Sequence, residues 1–257
     1  KGTLWLMILK VDTTRNSMSW LDQQQISAIS RDVRLATALH GGLTGEEFER
    51  IIERRFPNSK ACGDKKWFDI IQPNRGLEVK TFQTGKSDII TPGSSIDNVL
   101  KRIPLEALDQ KLVNKNGTLD TTANLNEIGS SIIDYLHSSM RKHAAEKGIK
   151  GAYTMVVLLR NGDKKKKINT NSLGYWEQSL DFGRGSDYRW SWSDSGKGIV
   201  GHIGNRKVLT WYWQNQKQLF YNFRAPENVQ VITITPGKAV SFLEEELEKL
   251  LSDTYQK

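Results

Sequence analysis

The chain has 257 residues and a formal net charge of +8, from 37 Lys and Arg against 29 Asp and Glu. Hydrophobic residues make up 37% of it and charged residues 26%, which suffices for a core and excludes wholesale disorder. Its longest apolar run, 4–9, is far below the roughly 20 residues that span a bilayer, which excludes a membrane-spanning helix. The single cysteine, Cys62, excludes a Cys-based zinc cluster and favours a reducing compartment, most simply the cytoplasm.

Helices are predicted where apolar residues recur with a period near 3.6. The predicted helices cover 20–39, 44–56, 96–103, 126–147 and 241–251. Thr44 begins the second helix with a capping box, because its side chain can accept from a backbone N–H of the first turn and Glu47 can reciprocate. Pro104 ends the third helix and Gly148 ends the fourth.

Strands are predicted where short apolar or alternating runs lie between turn residues. The predicted strands cover 66–71, 77–82, 153–159, 172–182, 188–193, 198–203, 206–213, 218–223 and 229–235. The first two form a hairpin through the turn residues between them. The continuous apolar run at 153–159 suits a central strand that is covered on both faces. The sequence therefore predicts an α/β protein whose mixed-sheet core is flanked by helices.

Basic charge is concentrated in the C-terminal half. Between Lys164 and Arg224 lie eleven Lys and Arg against four Asp and Glu, together with five of the eight tryptophans. A basic segment interleaved with aromatic residues is typical of proteins that bind nucleic acid. The alternative is a twisted sheet that buries the tryptophans in its core and leaves the lysines in solvent.

The order of the predicted elements and the position of the basic charge divide the chain into three predicted parts. We expect N-terminal helices and the core at 1–160, a β-rich basic lobe that recognises DNA at 161–226, and a closing strand and helix at 227–257. The three parts can equally form one domain.

Three charged residues of the predicted hairpin point to chemistry. On its second strand, Leu77 and Val79 point to one face, and Glu78 and Lys80 to the other. Folding the hairpin at its turn places Asp69 beside Val79, next to Glu78. Paired carboxylates suit a hard cation such as Mg²⁺, and a neighbouring lysine can orient an attacking water. The alternative is a cross-strand salt bridge on a solvated edge strand.

This arrangement resembles the PD-(D/E)XK nuclease motif, the core of most type II restriction endonucleases: Asp69 is followed by Glu-Val-Lys at 78–80. The upstream segment Gly-Glu-Glu-Phe-Glu at 45–49 is similar to the helix that precedes the hairpin in this family. Phe68 stands where the family has a proline. The resemblance covers about residues 40–160.

The resemblance implies a role for each matching residue. Asp69 and Glu78 would bind Mg²⁺ together with the Val79 carbonyl, and Mn²⁺ would substitute for Mg²⁺. Lys80 would lie at the attacking water. Glu49, on the helix, would be a further catalytic acid near the metal.

The implied function is a sequence-specific, double-stranded DNA endonuclease of the restriction type, with a matching DNA methyltransferase as its functional partner. A homodimer is expected, because one active site per chain has to cut two strands. Two alternatives remain open. One is a repair or junction nuclease of the same superfamily. The other is a non-catalytic DNA-binding protein in which the three charged residues form a structural cluster.

Basic and amide side chains of the lobe, and of the loop at 83–95, are the candidate DNA contacts. Arginine suits guanine and Asn or Gln suits adenine, while any of them can contact phosphate instead. The candidates are Lys86, Lys165, Lys166, Arg184, Arg189, Lys197, Asn205, Arg206, Lys207 and Gln214. We expect Arg184 to contact bases, because the glycines on both sides of it allow close approach to DNA. We expect Lys165 and Lys166 to contact phosphates.

Overall fold

Helices dominate the first part of the chain and strands the second. The computed structural model describes residues 22–40, 43–56, 58–64, 66–84, 89–161, 172–214, 216–233 and 243–245. Its longer helices are α1 (Gln23–His40), α2 (Gly45–Arg55) and α3 (Leu125–Glu146). Its strands are β1 (Lys60–Ala61), β2 (Ile70–Gln72), β3 (Arg75–Gln83), β4 (Ser95–Arg102), β5 (Ala152–Arg160), β6 (Ser172–Ser179), β7 (Arg189–Trp192), β8 (Ile199–Ile203), β9 (Arg206–Tyr212), β10 (Gln218–Arg224) and β11 (Gln230–Thr233).

The strands form two sheets. The first sheet has the order β1-β2-β3-β5-β6-β11; β3 and β5 run parallel, and the other neighbours are antiparallel. A parallel pair needs a crossover connection, and the chain between β3 and β5 supplies β4 and α3. The second sheet is antiparallel, in the order β4-β10-β9-β8-β7. The predicted α/β class, with a mixed sheet and flanking helices, is confirmed.

Helices α1 and α2 cover one face of the first sheet. Phe48 and Ile52 of α2 and Val33 of α1 share a buried cluster with Leu77 and Val156. The capping box predicted at the start of α2 is confirmed by reciprocal hydrogen bonds at 3.2 and 2.7 Å.

Helix α3 and the second sheet cover the other face. Ile132 and Leu136 of α3 share a buried cluster with Val157 of β5 and Trp211 of β9. Strand β5 is thus buried on both faces, as its apolar run predicts.

The helix predicted at 96–103 is wrong, because these residues form β4. This strand pairs with β10, more than 100 residues further along the chain, and Asn98 lies opposite Tyr221. Ile96 and Val99 are β-branched and favour a strand, and Pro104 stops a strand as readily as a helix.

One other predicted element begins later than expected. The strand predicted at 66–71 begins only at Ile70, because the backbone N–H of Trp67 bonds a side chain of α3 instead of a strand. The closing helix predicted at 241–251 is helical at 243–245, and its other residues lie outside the described ones, as does the end of the strand predicted at 229–235.

Each sheet combines strands from more than one of the predicted parts. Strand β6 belongs to the first sheet although its residues fall in the predicted lobe, and β4 belongs to the second sheet although its residues fall in the predicted core. One hydrophobic cluster runs through both sheets. The division into parts stays a prediction. Among the described residues, no helix is long and apolar enough to cross a membrane.

Candidate active site at the β2–β3 hairpin

The β2–β3 hairpin brings Asp69 and Glu78 together. Ile70 pairs with Leu77, and the Asp69 N–H donates to the Leu77 carbonyl at 2.9 Å. This register differs by one position from the predicted one, because two residues form the turn instead of three. The Asp69 side chain still reaches Val79, whose N–H donates to Asp69 Oδ2 at 2.8 Å.

Glu78 is a buried acid beside a second acid. It is only 7% exposed, and Lys80 forms an ion pair with it on the same face of β3. Burial is the main cause that raises the pKa of Glu78 to about 7; the Lys80 charge opposes this, and the Asp69 charge adds to it. The carboxyl therefore takes up and releases its proton near neutral pH.

Lys101 adds a second cation from the second sheet. Its Nζ lies 4.5 Å from the centre of the Trp67 ring, and its charge interacts with Glu78, Lys80 and Asp69. Burial is the main cause that lowers the pKa of Lys101. We call Asp69, Glu78, Lys80 and Lys101 the hairpin cluster. Sequence reasoning missed Lys101, because β4 was predicted as a helix.

Glu49 lies on α2 and is half-buried. Helix α2 packs on the face of the first sheet that carries Leu77, whereas Glu78 and Lys80 point to the opposite face. The role of Glu49 in the site stays a prediction.

A second polar group lies just before the hairpin. The Cys62 thiol donates to Asp64 Oδ1 at 3.2 Å, and His143 Nε2 lies 2.9 Å from the same oxygen. Lys147 Nζ lies 2.8 Å from Asp64 Oδ2. We call these four residues the loop cluster. Its hydrogen bonds, with that of Lys147 as the largest cause, hold the pKa of Asp64 well below its usual range.

The loop cluster offers three possible metal ligands whose atoms lie within 4.8 Å: Cys62, Asp64 and His143. Its hydrogen bonds argue against a metal. The Trp67 N–H donates to His143 Nδ1 at 3.1 Å, so neutral His143 carries its proton on Nε2, the nitrogen that faces Asp64. Burial raises the pKa of the Cys62 thiol, which disfavours the thiolate that a metal needs. The loop cluster instead anchors the chain before Asp69 to α3.

A cleft opens between the two clusters. Its volume is about 590 Å³, and α3, Trp67 and Lys101 line it. Tyr135 and Lys142 contribute further aromatic and basic groups from α3.

The candidate DNA contacts in the described part of the chain are exposed, but they lie at two ends of the second sheet. Arg184 lies before β7. The β8–β9 end carries Arg189, Asn205, Arg206 and Lys207, and the opposite end carries Lys197 and Gln214. The opposite end is closer to the hairpin cluster, because Gln218 pairs there with both Arg102 and Tyr212. Lys86, Lys165 and Lys166 lie outside the described residues.

The tryptophans of the basic segment belong largely to the core, as the alternative interpretation of that segment predicted. Trp176, Trp190, Trp211 and Trp213 are buried, and Trp192 is half-buried. The case for nucleic acid therefore rests on the charges and not on the aromatic residues.

The hairpin cluster draws its side chains from separate stretches of the chain, so the fold and not one continuous motif assembles it. Asp69 precedes β2, Glu78 and Lys80 lie on β3, and Lys101 lies on β4. In comparisons with known proteins, no family model, no curated protein and no solved structure matches the chain.

Proposed function

We propose that the chain is a Mg²⁺-dependent endonuclease of the PD-(D/E)XK type that cuts double-stranded DNA at specific sites. One observation carries the proposal: Asp69 and Glu78 are both buried, Asp69 forms hydrogen bonds to the residues on either side of Glu78, and Lys80 forms an ion pair with Glu78. Burial and the nearby Asp69 charge disfavour the charged form of Glu78, and such perturbed groups concentrate at functional sites. In this proposal the protein acts as a homodimer and is paired with a DNA methyltransferase.

The oxygen atoms of the hairpin cluster fit a hard divalent cation. Alternate residues of a strand direct their backbone groups to the same neighbour, and Leu77 directs its carbonyl to Asp69. The Val79 carbonyl therefore faces the Asp69 side as well. Together with the carboxylates of Asp69 and Glu78 it makes an all-oxygen donor set, which suits Mg²⁺ better than a soft metal. Mn²⁺ takes similar ligands.

Each residue of the site then has a distinct task. Asp69 and Glu78 hold the cation, which when bound stabilises the charge that develops on the phosphate oxygens. Lys80 donates a hydrogen bond to the attacking water and orients it. The water oxygen bonds to phosphorus, one P–O ester bond breaks, and the departing oxygen takes a proton from solvent while the water releases one.

Recognition of DNA belongs to the exposed basic and amide residues of the second sheet. Lys197 and Gln214 lie at the end of this sheet that is closer to the hairpin cluster. Arg189, Asn205 and Arg206 lie one strand length away, so they would contact DNA further from the cut. Lys207 forms an ion pair with Asp97, which reduces the charge that it can offer to a phosphate.

The test is cleavage of supercoiled plasmid and of genomic DNA in Mg²⁺, in Mn²⁺ and in EDTA. We expect discrete fragments with either metal and none in EDTA. The Glu78→Gln variant should bind DNA in Ca²⁺ but not cleave it. Glu127→Gln serves as the matched control, because Glu127 is an exposed acid at the start of α3.

Other outcomes would favour the alternatives. Nicking or a preference for branched DNA would indicate a repair or junction enzyme. Tight binding without cleavage in any metal would indicate a non-catalytic DNA-binding protein. Cleavage by Glu78→Gln within a few-fold of wild type would refute the assignment of the site.

A further inference from the structure

Lys101 is a cation that the fold partly buries. Its ammonium lies 4.5 Å from the centre of the Trp67 ring, and its charge interacts with those of Asp69 and Glu78. Burying an ammonium group costs free energy unless its charge is compensated. Lys80 already forms an ion pair with Glu78, so the fold supplies a second cation to the same pair of acids.

With both acids ionised, the charges of the hairpin cluster balance without a metal. Its two carboxylates match the two ammonium groups of Lys80 and Lys101. A bound divalent cation would leave an excess of two positive charges in a largely buried site. An anion is then required beside the cation, and a phosphodiester whose charge grows during hydrolysis supplies it.

The cleft next to Lys101 has the size and the chemistry for part of a nucleic-acid strand. Its volume of about 590 Å³ lies within the roughly 300–1,000 Å³ typical of ligand pockets. Half-buried Tyr135 gives it aromatic surface, and Lys142 gives it an exposed cation.

The acids of the cleft are already paired with cations of this chain. Asp64 contacts Lys147, and Glu146 contacts Lys66 at 2.9 Å. They therefore repel an incoming phosphate less than unpaired carboxylates would.

We propose that Lys101 is a substrate-contacting residue of the hairpin cluster: its ammonium binds the phosphate of the strand that is cut, and the cleft beside Trp67 holds the adjoining nucleotide. This inference rests on the proposed function. It adds to the site a residue from the second sheet. It also gives the direction in which the DNA strand leaves the site, which is toward α3.

The test compares Lys101→Met, which keeps the length of the side chain without its charge, with Lys101→Arg and with Lys111→Met as control. Lys111 is an exposed lysine that lies between Asp109 and Glu127, away from the cleft. We expect Lys101→Met to slow cleavage by about 10²-fold at saturating Mg²⁺, the typical effect of removing one group that stabilises developing charge, and Lys101→Arg to recover part of the loss.

Two measurements do not depend on cleavage. Calorimetry in Ca²⁺ should show that Lys101→Met binds a 5′-phosphorylated thymidine dinucleotide at least tenfold more weakly than wild type. Titration with Mn²⁺ should show equal or tighter metal binding, because a cation near the carboxylates is gone. Lys142→Met should weaken dinucleotide binding a few-fold and leave Mn²⁺ binding unchanged; as an exposed residue it is not expected to affect folding.

The outcomes separate this inference from the proposed function. If wild type cleaves DNA and Lys101→Met binds the dinucleotide and cleaves like wild type, Lys101 is only a structural counter-ion and the inference fails while the nuclease stands. If wild type cleaves no DNA but Lys101→Met loses dinucleotide binding, the nucleotide site stands and the nuclease fails.

Discussion

Two clusters of acids and bases lie on either side of Trp67, and the pKa of an acid shifts in opposite directions in the two. In the loop cluster, hydrogen bonds from Lys147, Cys62 and His143 lower the pKa of Asp64. In the hairpin cluster, burial beside another acid raises the pKa of Glu78. Trp67 touches both clusters, since its N–H bonds His143 and its ring lies under Lys101.

The difference separates a structural cluster from a candidate catalytic one. The hydrogen bonds of the loop cluster satisfy its polar groups, which tie the chain before β2 to α3. The hairpin cluster keeps a carboxyl at a free-energy cost that local structure does not explain, and a ligand that neutralises the acids would offset that cost. Each prediction below tests this division.

The largest expected effect is on cleavage. Asp69→Asn and Glu78→Gln each remove a carboxylate from the proposed metal site while keeping the size of the side chain. We expect cleavage to fall on the order of 10³-fold, because charge on the phosphate oxygens is no longer stabilised. Single-turnover cleavage of a plasmid measures this directly. Asp64→Asn, in the loop cluster, should reduce the rate far less at a temperature where it remains folded; an equal loss would erase the distinction between the clusters.

The next effect is on stability and concerns the loop cluster. His143→Ala removes the acceptor of the Trp67 N–H and a ring that stacks on Phe68 at 5.3 Å between centroids. His143 is buried, so we expect the free energy of unfolding to fall by about 2–4 kcal/mol.

Chemical denaturation followed by tryptophan fluorescence measures the loss. His40→Ala is the matched control, because His40 is exposed; loss of its ion pair with Glu47 should cost no more than about 1 kcal/mol. A His143→Ala variant as stable as wild type would show that the loop cluster does not anchor the hairpin.

A smaller effect concerns the pH dependence of stability, which should differ between wild type and Glu78→Gln. The pKa of Glu78 rises from its ordinary value of 4.5 to about 7 in the folded state. Below pH 4.5 both states hold the proton. Between pH 4.5 and 7 the unfolded chain releases it first, so the Glu78 contribution to stability is lost as pH rises, and the loss is complete above pH 7.

Glu78→Gln lacks this titration. Its stability relative to wild type should therefore rise by about 2–3 kcal/mol from pH 4.5 to pH 8, since a tenfold change in an acid constant corresponds to about 1.4 kcal/mol. Denaturation curves of both proteins at several pH values give the difference, and Glu127→Gln, at an exposed acid, is the control. A flat curve for Glu78→Gln would mean that Glu78 is not a perturbed acid.

Sequence reasoning found the parts of the site that depend on local structure. Alternation along β3 sets Glu78 and Lys80 on one face, and a short turn returns Asp69 to them, so both follow from neighbouring residues. Lys101 depends on the pairing of β4 with β10, which joins positions more than 100 residues apart. Local periodicity holds no information on such a contact.

The loop cluster escaped sequence reasoning for the same reason. His143 lies on α3, and its partner Asp64 lies 79 residues earlier in the chain. Helix α3 itself was predicted almost to the residue, because its apolar period is local. A one-residue error in the hairpin register had little effect, since the Asp69 side chain still accepts from Val79 and its charge acts on Glu78.

The last prediction concerns metal binding, which should occur at the hairpin cluster and not at the loop cluster. A ligand that binds only the folded state stabilises it by an amount set by its concentration relative to Kd, about 1.4 kcal/mol at ten times Kd. If the hairpin cluster is the site, Mg²⁺ should raise the Tm of wild type at pH 8 and have much less effect at pH 5.5, where protonated Glu78 cannot act as a ligand. Glu78→Gln should lose the shift, and Cys62→Ser should keep it. The opposite pattern, a shift that survives Glu78→Gln and disappears in Cys62→Ser, would place the metal in the loop cluster, because thiolate and imidazole ligands would then be in use.

Repeating the scan with Zn²⁺ sharpens the comparison. An all-oxygen site gains little selectivity for Zn²⁺, whereas a Cys/His/Asp site binds it in strong preference to Mg²⁺.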